Sequence, residues 1–228
     1  MGQMCVRICQ VLSKTVKYMI FICRLFFFLL KKYEKLKAKM FSVWCQHQMR
    51  SHGEHIQIHP SSSVLSLERI SIGNNFNTGP MLRLRAYTDF GNHKYDATIT
   101  IGNNFYAGDN CAIMAVGHII IGNNVTLASR VTVINHSHGI GDYSDMKEPV
   151  MERNLGVKGP IIIEDNVWLC EGVVILSNVK IGENAIIGAN SVVTHDIPAN
   201  SIAVGIPAKV GTVVKRIKLY NELIANVI

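Results

Sequence analysis

From Ile163 onward, an apolar residue returns at every sixth position: Ile163, Leu169, Ile175, Ile181, Ile187 and Val193. Two residues before each later member stands Val167, Val173, Val179, Ala185 or Ser191. A spacing of two puts both side chains on one face of a short strand. Three residues after each member comes Asn166, Gly172, Asn178, Asn184, Asn190 or Asp196. These residue types tolerate left-handed backbone best. Each hexad therefore predicts a short strand followed by a tight corner.

The pattern also runs earlier, as IGNNF at 72–76, IGNNFYAGDNCAI at 101–113 and IGNNVTLASRVTV at 121–133. Arg130 breaks the corner rule there. Such short strands cannot bury a face alone, whereas stacked coils can. Two stretches depart from the rhythm, residues 84–98 and, far more, residues 134–160. A long irregular stretch inside a compact domain is usually functional or disordered. Beyond Pro207, the apolar positions Val213, Ile217, Tyr220, Ile224 and Val227 follow helical spacing. They predict a C-terminal helix over 212–228 that caps the stack and covers its strand edges.

The N-terminal stretch has another pattern. YMIFICRLFFFLL (18–30) is apolar but carries Arg24, and it is shorter than the roughly 20 residues that span a bilayer. Lys31 and Lys32 follow it in place of a small-residue cleavage site. Lys17, Arg24 and Lys31 recur every seventh residue, with Lys14 and Lys35 on adjoining turns. This predicts an amphipathic helix with one basic stripe and a broad apolar face. Two fates fit it: peripheral membrane association through residues 5–40, or packing on the protein's own body or sister subunits. Three regions result: a basic hydrophobic segment (1–54), a repeat domain (55–211) carrying the loop 134–160, and the terminal helix (212–228).

Charge follows the same division. Residues 1–50 hold ten Lys/Arg and one acid, while the remaining 178 hold thirteen basic and fifteen acidic residues. The repeat domain is thus not a basic nucleic-acid surface. Of six cysteines, Cys5, Cys9, Cys23 and Cys45 lie in the N-terminal segment, Cys111 and Cys170 in the repeats, and none forms a CxxC pair. The expectation is reduced thiols in a cytoplasmic protein, at the inner face of the membrane if the helix binds there.

The longer gap opens with INHSHG (134–139), which holds His136 and His138. Neutral imidazole suits removal of a hydroxyl proton near neutral pH. If a thioester and an alcohol bind together, acyl transfer needs no covalent nucleophile. An HxH pair can also bind metal or simply be solvated.

These six-residue repeats resemble the left-handed β-helix, hexapeptide-repeat acyltransferases over about residues 55–210. The resemblance implies an all-β solenoid: a left-handed parallel β-helix with an N-terminal amphipathic helix and a C-terminal capping helix. Handedness comes from the resemblance, because the usual crossover preference is right-handed. The part from IGNNVTLASRVTVINHSHG (121–139) on looks most like the maltose and galactoside O-acetyltransferases and bacterial polysaccharide O-acetyltransferases. Counted without a gap, their catalytic histidine falls on His138; His136 is the alternative base or touches the acceptor. γ-Type carbonic anhydrases share the helix, but His93, His118, His136, His138 and His195 show no matching triad spacing. No metal is expected.

The same resemblance implies acetyl-CoA as the acyl donor. Trp168, turned outward between Val167 and Leu169, would line the donor channel; a subunit contact is the other reading. Within IGANSVVTHDIPANSIAVGIPAKV (187–210), Ala189 and Thr194 fall along the pantetheine arm and Lys209 near the nucleotide. Lys215 and Arg216 are further candidate cations for its phosphates. His195 replaces a usual basic residue, which leaves one phosphate contact in doubt. The family forms trimers with sites between subunits, so a homotrimer is expected.

The acceptor is the quiet part. Gly108, Asp109 and Asn110 occupy a family sugar-contact coil, and Arg83, Arg85 and Tyr87 could reach an acceptor from a neighbouring subunit. The basic hydrophobic helix would bring an enzyme close to a lipid-linked or growing glycan. The expected activity is O-acetylation of a sugar hydroxyl of a surface polysaccharide or its lipid-linked precursor. A non-catalytic scaffold, and an acetyltransferase acting on free sugar, serine or xenobiotic, are the alternatives.

Overall fold

The computed structural model describes residues 2–213 except 140, 142 and 144, with side chains over 16–211. The chain divides into two units, Met1–Met40 and Phe41–Ile228. The second is a left-handed parallel β-helix whose three faces carry sheets of six, six and seven strands.

One coil shows how the repeat works. The strand Thr98–Ile101 lies on the first face, Tyr106–Ala107 on the third and Ala112–Ala115 on the second, and His118–Ile121 returns to the first. Within this turn, Ile99, Ile101, Phe105, Ala107, Cys111, Ile113 and Ala115 are all buried. The period-two pairs therefore point into the core, as the hexads predict. Successive coils pair in parallel register, for example Ile119 with Ile99 and Ile161.

The corners explain the residue choice. Between the first and third faces, Asn75, Asn104, Asn124, Asn166, Asn184 and Asn200 all have φ between 56° and 61°. Short polar side chains tolerate this left-handed region, and here they also bond along the stack. Asn75 Nδ2 donates to Asn104 Oδ1 at 2.8 Å, Asn104 to Asn124 at 2.8 Å and Asn124 to Asn166 at 2.9 Å. The preceding residue forms a second ladder. The backbone N–H of Asn74, Asn103 and Asn123 donates to Asn103 Oδ1, Asn123 Oδ1 and Asp165 Oδ1. IGNN thus satisfies corner amides that would otherwise stand at the turn without a strand partner.

Arg130 obeys the corner geometry despite its side chain: its φ is 62° and its guanidinium pairs with Glu171 at 3.0 Å. Asp196, in contrast, is not left-handed; its carboxylate accepts the Lys180 N–H at 2.8 Å.

The body begins earlier than the repeats suggest. The helix Gly2–Gln48 crosses the division between the units, and its last turns belong to the body. Cys45 and Ser42 are buried, and Ser42 Oγ accepts the Ile58 N–H at 2.9 Å. Burial pushes the Cys45 thiol up to about 11. Pairing starts at Ser51–His52, which lies against Ser71 and Ile72.

At the other end, Ser201–Gly205 pairs antiparallel with Ala208–Val213. A strand therefore occupies the stretch up to Val213. The rest of the helix expected over 212–228, with Lys215 and Arg216, lies outside the described residues.

Candidate active site

Both interruptions leave the stack at the corner line between the second and first faces. The first follows the strand Arg83–Ala86, and the second follows Thr132–Ile134. One ordinary tight corner, at Val116 and Gly117, separates them. The excursions belong to alternate coils, so they can meet over that corner.

Asn135 anchors the second excursion. Its side chain is fully buried. Oδ1 accepts the Val116 N–H at 2.9 Å and the Gly117 N–H at 3.4 Å, while Nδ2 donates to the His118 carbonyl at 3.3 Å. Gly117 leaves room for this: a Cβ there would sit 2.9 Å from Val157 Cγ1 and 3.3 Å from Asn135 Nδ2.

The chain then passes His136 and forms a small antiparallel ladder. Ser137 pairs with Gly156 and His138 with Leu155. The Gly139 N–H donates to the Asn154 carbonyl at 2.7 Å, and Ser137 Oγ donates to the Gly139 carbonyl at 2.7 Å. Gly139 has φ 86°, and a Cβ on it would meet Asp145 Oδ2 at 2.5 Å. His138 is thus an exposed side chain on a hydrogen-bonded backbone.

The first excursion supplies aromatic walls. It is a hairpin, with Asp89 opposite Lys94 and Phe90 opposite His93. Tyr87 meets the His136 ring at 5.4 Å between centroids, with planes 70° apart. Phe90 meets His138 in the same way, at 5.2 Å and 70°. Tyr95 Oη accepts the Leu155 N–H at 2.9 Å.

The two histidines differ in environment. Burial pushes the His136 imidazole below its ordinary value, helped by nearby His138, while the Met114 carbonyl pulls the other way. That carbonyl accepts the Asn135 N–H at 3.4 Å, and the buried His136 Nδ1 has no hydrogen-bond partner among the described residues. His136 is half-buried in surroundings that favour its neutral form, whereas His138 reaches solvent. Among the described residues, no three His, Cys, Asp or Glu side chains group to hold a metal ion.

The expected donor-side residues lie elsewhere on the prism. Trp168 is 49% exposed on the third face, between Thr126 and Ile186 of adjacent coils. Ala189 is exposed at the next corner, between the third and second faces. Beside it, a Cβ on Gly188 would come 2.5 Å from Val204 Cγ1. Lys209 is exposed opposite Val204 on the terminal hairpin. Thr194 instead follows Val193 onto the same corner line as the histidines and hydrogen-bonds His195 Nδ1 through Oγ1 at 2.8 Å. One chain therefore gathers His136, His138 and Thr194 on one edge, while Trp168, Ala189 and Lys209 lie beyond the second face. Arg85, expected near an acceptor, donates to Ser63 Oγ at 2.6 Å.

Sequence reasoning passed over Asn135, Phe90 and Tyr95. Asn135 stands beside the histidines that drew attention. Phe90 and Tyr95 belong to a cluster of aromatics with Tyr87 in a break of the repeat, and that clustering was the available signal.

Known proteins place this architecture. The repeat described as bacterial transferase hexapeptide (six repeats) matches residues 160–195. An Escherichia coli (strain K12) protein with the provisional name lipopolysaccharide biosynthesis O-acetyl transferase WbbJ is 34% identical over 156 residues, 67% of this chain and 73% of that one. The chain belongs to the hexapeptide-repeat acetyltransferase family. Galactoside O-acetyltransferase of the same organism is 39% identical over 116 residues, 51% of this chain and 54% of its own. The chain thus spans about half the length of that relative.

Among solved structures, a mutant of AntD, an N-acyltransferase from Bacillus cereus in complex with dTDP-4-amino-4,6-dideoxyglucose and coenzyme A, superposes with TM-score 0.62. It is 25% identical, over 79% of this chain and 94% of that one. A Vibrio cholerae hexapeptide-repeat acetyltransferase, VCA0836, complexed with acetyl coenzyme A, shares the fold at TM-score 0.50 and 23% identity, over 75% and 74% of the two chains.

Proposed function

We propose that this member of the family is an acetyl-CoA-dependent O-acetyltransferase with His138 as its general base. The convergence of both interruptions on an exposed His138 carries this reading. The acceptor hydroxyl gives its proton to the imidazole as its oxygen attacks the thioester carbonyl. The tetrahedral intermediate then collapses, the C–S bond breaks, and the imidazolium returns the proton to the leaving thiolate. His136, half-buried with its Nδ1 shut off from solvent, serves better as a wall or acceptor contact than as the base.

Acetyl-CoA as substrate fits the other edge. Exposed Ala189 puts only a methyl group at the corner, beside a thin pantetheine arm, Trp168 offers an exposed ring, and Lys209 a cation. Because those residues and His138 occupy different edges of one prism, the site needs a second copy. We infer a homotrimer in which the Trp168 face of one subunit meets the histidine edge of the next.

For the acceptor we infer a sugar hydroxyl of a surface polysaccharide or its lipid-linked precursor. WbbJ is named for lipopolysaccharide biosynthesis. The N-terminal helix gives independent support. Tyr18, Phe21, Ile22, Phe26, Leu29 and Leu30 are exposed on it, and Lys32 lies over the Phe28 ring at 4.7 Å. Among the described residues, no helix is long and apolar enough to cross a membrane. An interfacial helix with cations toward anionic headgroups suits this composition. We therefore place the protein at the cytoplasmic face of the membrane. Replacing Lys17, Arg24 and Lys31 by Glu should abolish flotation of the full chain with anionic vesicles; undiminished flotation refutes the interfacial reading.

The activity test offers acetyl-CoA together with a lipid-diphosphate glycoside or with free monosaccharides. The reading expects an O-acetylated lipid-linked product by mass spectrometry. Acetylation of the free sugars alone would overturn the acceptor assignment, and no CoA-dependent product at all would overturn the enzyme.

A further inference from the structure

We propose that Tyr95 and Phe90 are positioning residues that fix the His138 imidazole, and that the two excursions form one catalytic clamp. The inference rests on His138 as base. His138 lies on a strand of only two residues, too short to hold its orientation alone. Its partner strand, Leu155–Gly156, is equally short. The Leu155 N–H is donated outward to Tyr95 Oη at 2.9 Å rather than into the little sheet. Tyr95 is itself held, because its N–H donates to the Thr88 carbonyl at 2.8 Å across the first hairpin. Phe90, on the same hairpin, closes on the His138 ring at 5.2 Å. One excursion thus fixes both the backbone opposite His138 and one side of its ring. Neither residue needs to touch the substrate to do so.

Two measurements on the full-chain protein test this. Turnover is followed as thiol release from acetyl-CoA with the lipid-diphosphate glycoside, for Tyr95→Phe, Phe90→Ala, Phe90→Tyr, His138→Ala and the double variant Tyr95→Phe/His138→Ala. Tyr95→Phe and Phe90→Ala should each lower kcat about tenfold, because small misplacements of a catalytic group are costly. The KM for acetyl-CoA should stay within about twofold, and Phe90→Tyr should restore kcat. The double variant should be no slower than His138→Ala, since Tyr95 acts only through that ring. Additive losses, or a wild-type kcat in Tyr95→Phe, overturn the clamp. Full activity in His138→Ala instead overturns the base assignment. Hydrogen exchange decides even where turnover is too slow to follow. Tyr95→Phe should speed exchange of the Leu155 amide about tenfold more than any accompanying fall in Tm accounts for, and an unchanged amide overturns the inference.

Discussion

Replacing Asn135 by Ala tests the anchor on which the histidine loop depends. Three hydrogen bonds disappear with the amide, to the Val116 and Gly117 N–H groups and the His118 carbonyl. Val116 is 2% exposed, so its N–H has no route to water. A buried orphan donor costs about 1–3 kcal/mol. The Gly117 bond is long, at 3.4 Å, and contributes less. The small cavity left by the amide adds about 1 kcal/mol. The total comes to about 2–4 kcal/mol, or a fall in Tm of about 5–15 °C for a domain of this size. Calorimetry on Asn135→Ala measures it. Turnover should also fall by more than the unfolded fraction at the assay temperature accounts for, because the loop loses its attachment immediately before His136. A Tm loss under about 1 °C would refute this, since no mechanism leaves a buried N–H unpaired at so low a cost.

Two further outcomes follow from the same geometry. Depression of the His136 value below its ordinary 6.5 means that the unfolded chain binds more protons in acid. Its contribution to stability is full above the unfolded value and is lost as pH falls through the folded one. His136→Gln should therefore flatten the fall in Tm between about pH 7.5 and about pH 5 relative to wild type, and parallel curves would contradict this. At the left-handed corner, Arg130→Asn relieves about 1 kcal/mol of backbone strain and gives up an exposed ion pair worth about 0–1 kcal/mol. Urea denaturation should find the variant neutral or up to about 1 kcal/mol more stable, and destabilisation beyond about 1 kcal/mol would show that the ion pair dominates.

The solenoid is legible because its rule is local. An inward pair such as Val173 and Ile175 and a corner such as Asn184 are read from a few neighbouring residues, and stacking repeats them. Arg130 takes the corner against its residue type because the coils on either side dictate the backbone there. Local rules run out at the ends. Residues 41–48 continue a helix by periodicity, yet Cys45 is buried in the body, which only the three-dimensional position of the first coil decides. The stretch 208–213 pairs as a strand because Ser201–Gly205 offers it an open edge.

The site divides in the same way. INHSHG announces itself by breaking the repeat, so His136 and His138 stand out. That Tyr87, Phe90 and Tyr95 close on them depends on two breaks sharing one corner line with a single coil between. The count of hexads between 98 and 134 contains that fact, but only once the faces are assigned. Asn135 was hidden by its chemistry: an Asn in a loop reads as a turn residue, and burial under Gly117 is what makes it an anchor.

The most direct measurement is the rate of CoA release and acetyl transfer by His138→Ala at a temperature well below the Tm of both variant and wild type. Loss of kcat by a factor on the order of 100 to 10,000, with acetyl-CoA still raising Tm as it does in the parent, is the outcome the account predicts. Retention of more than about a tenth of wild-type kcat would contradict it and move the base elsewhere.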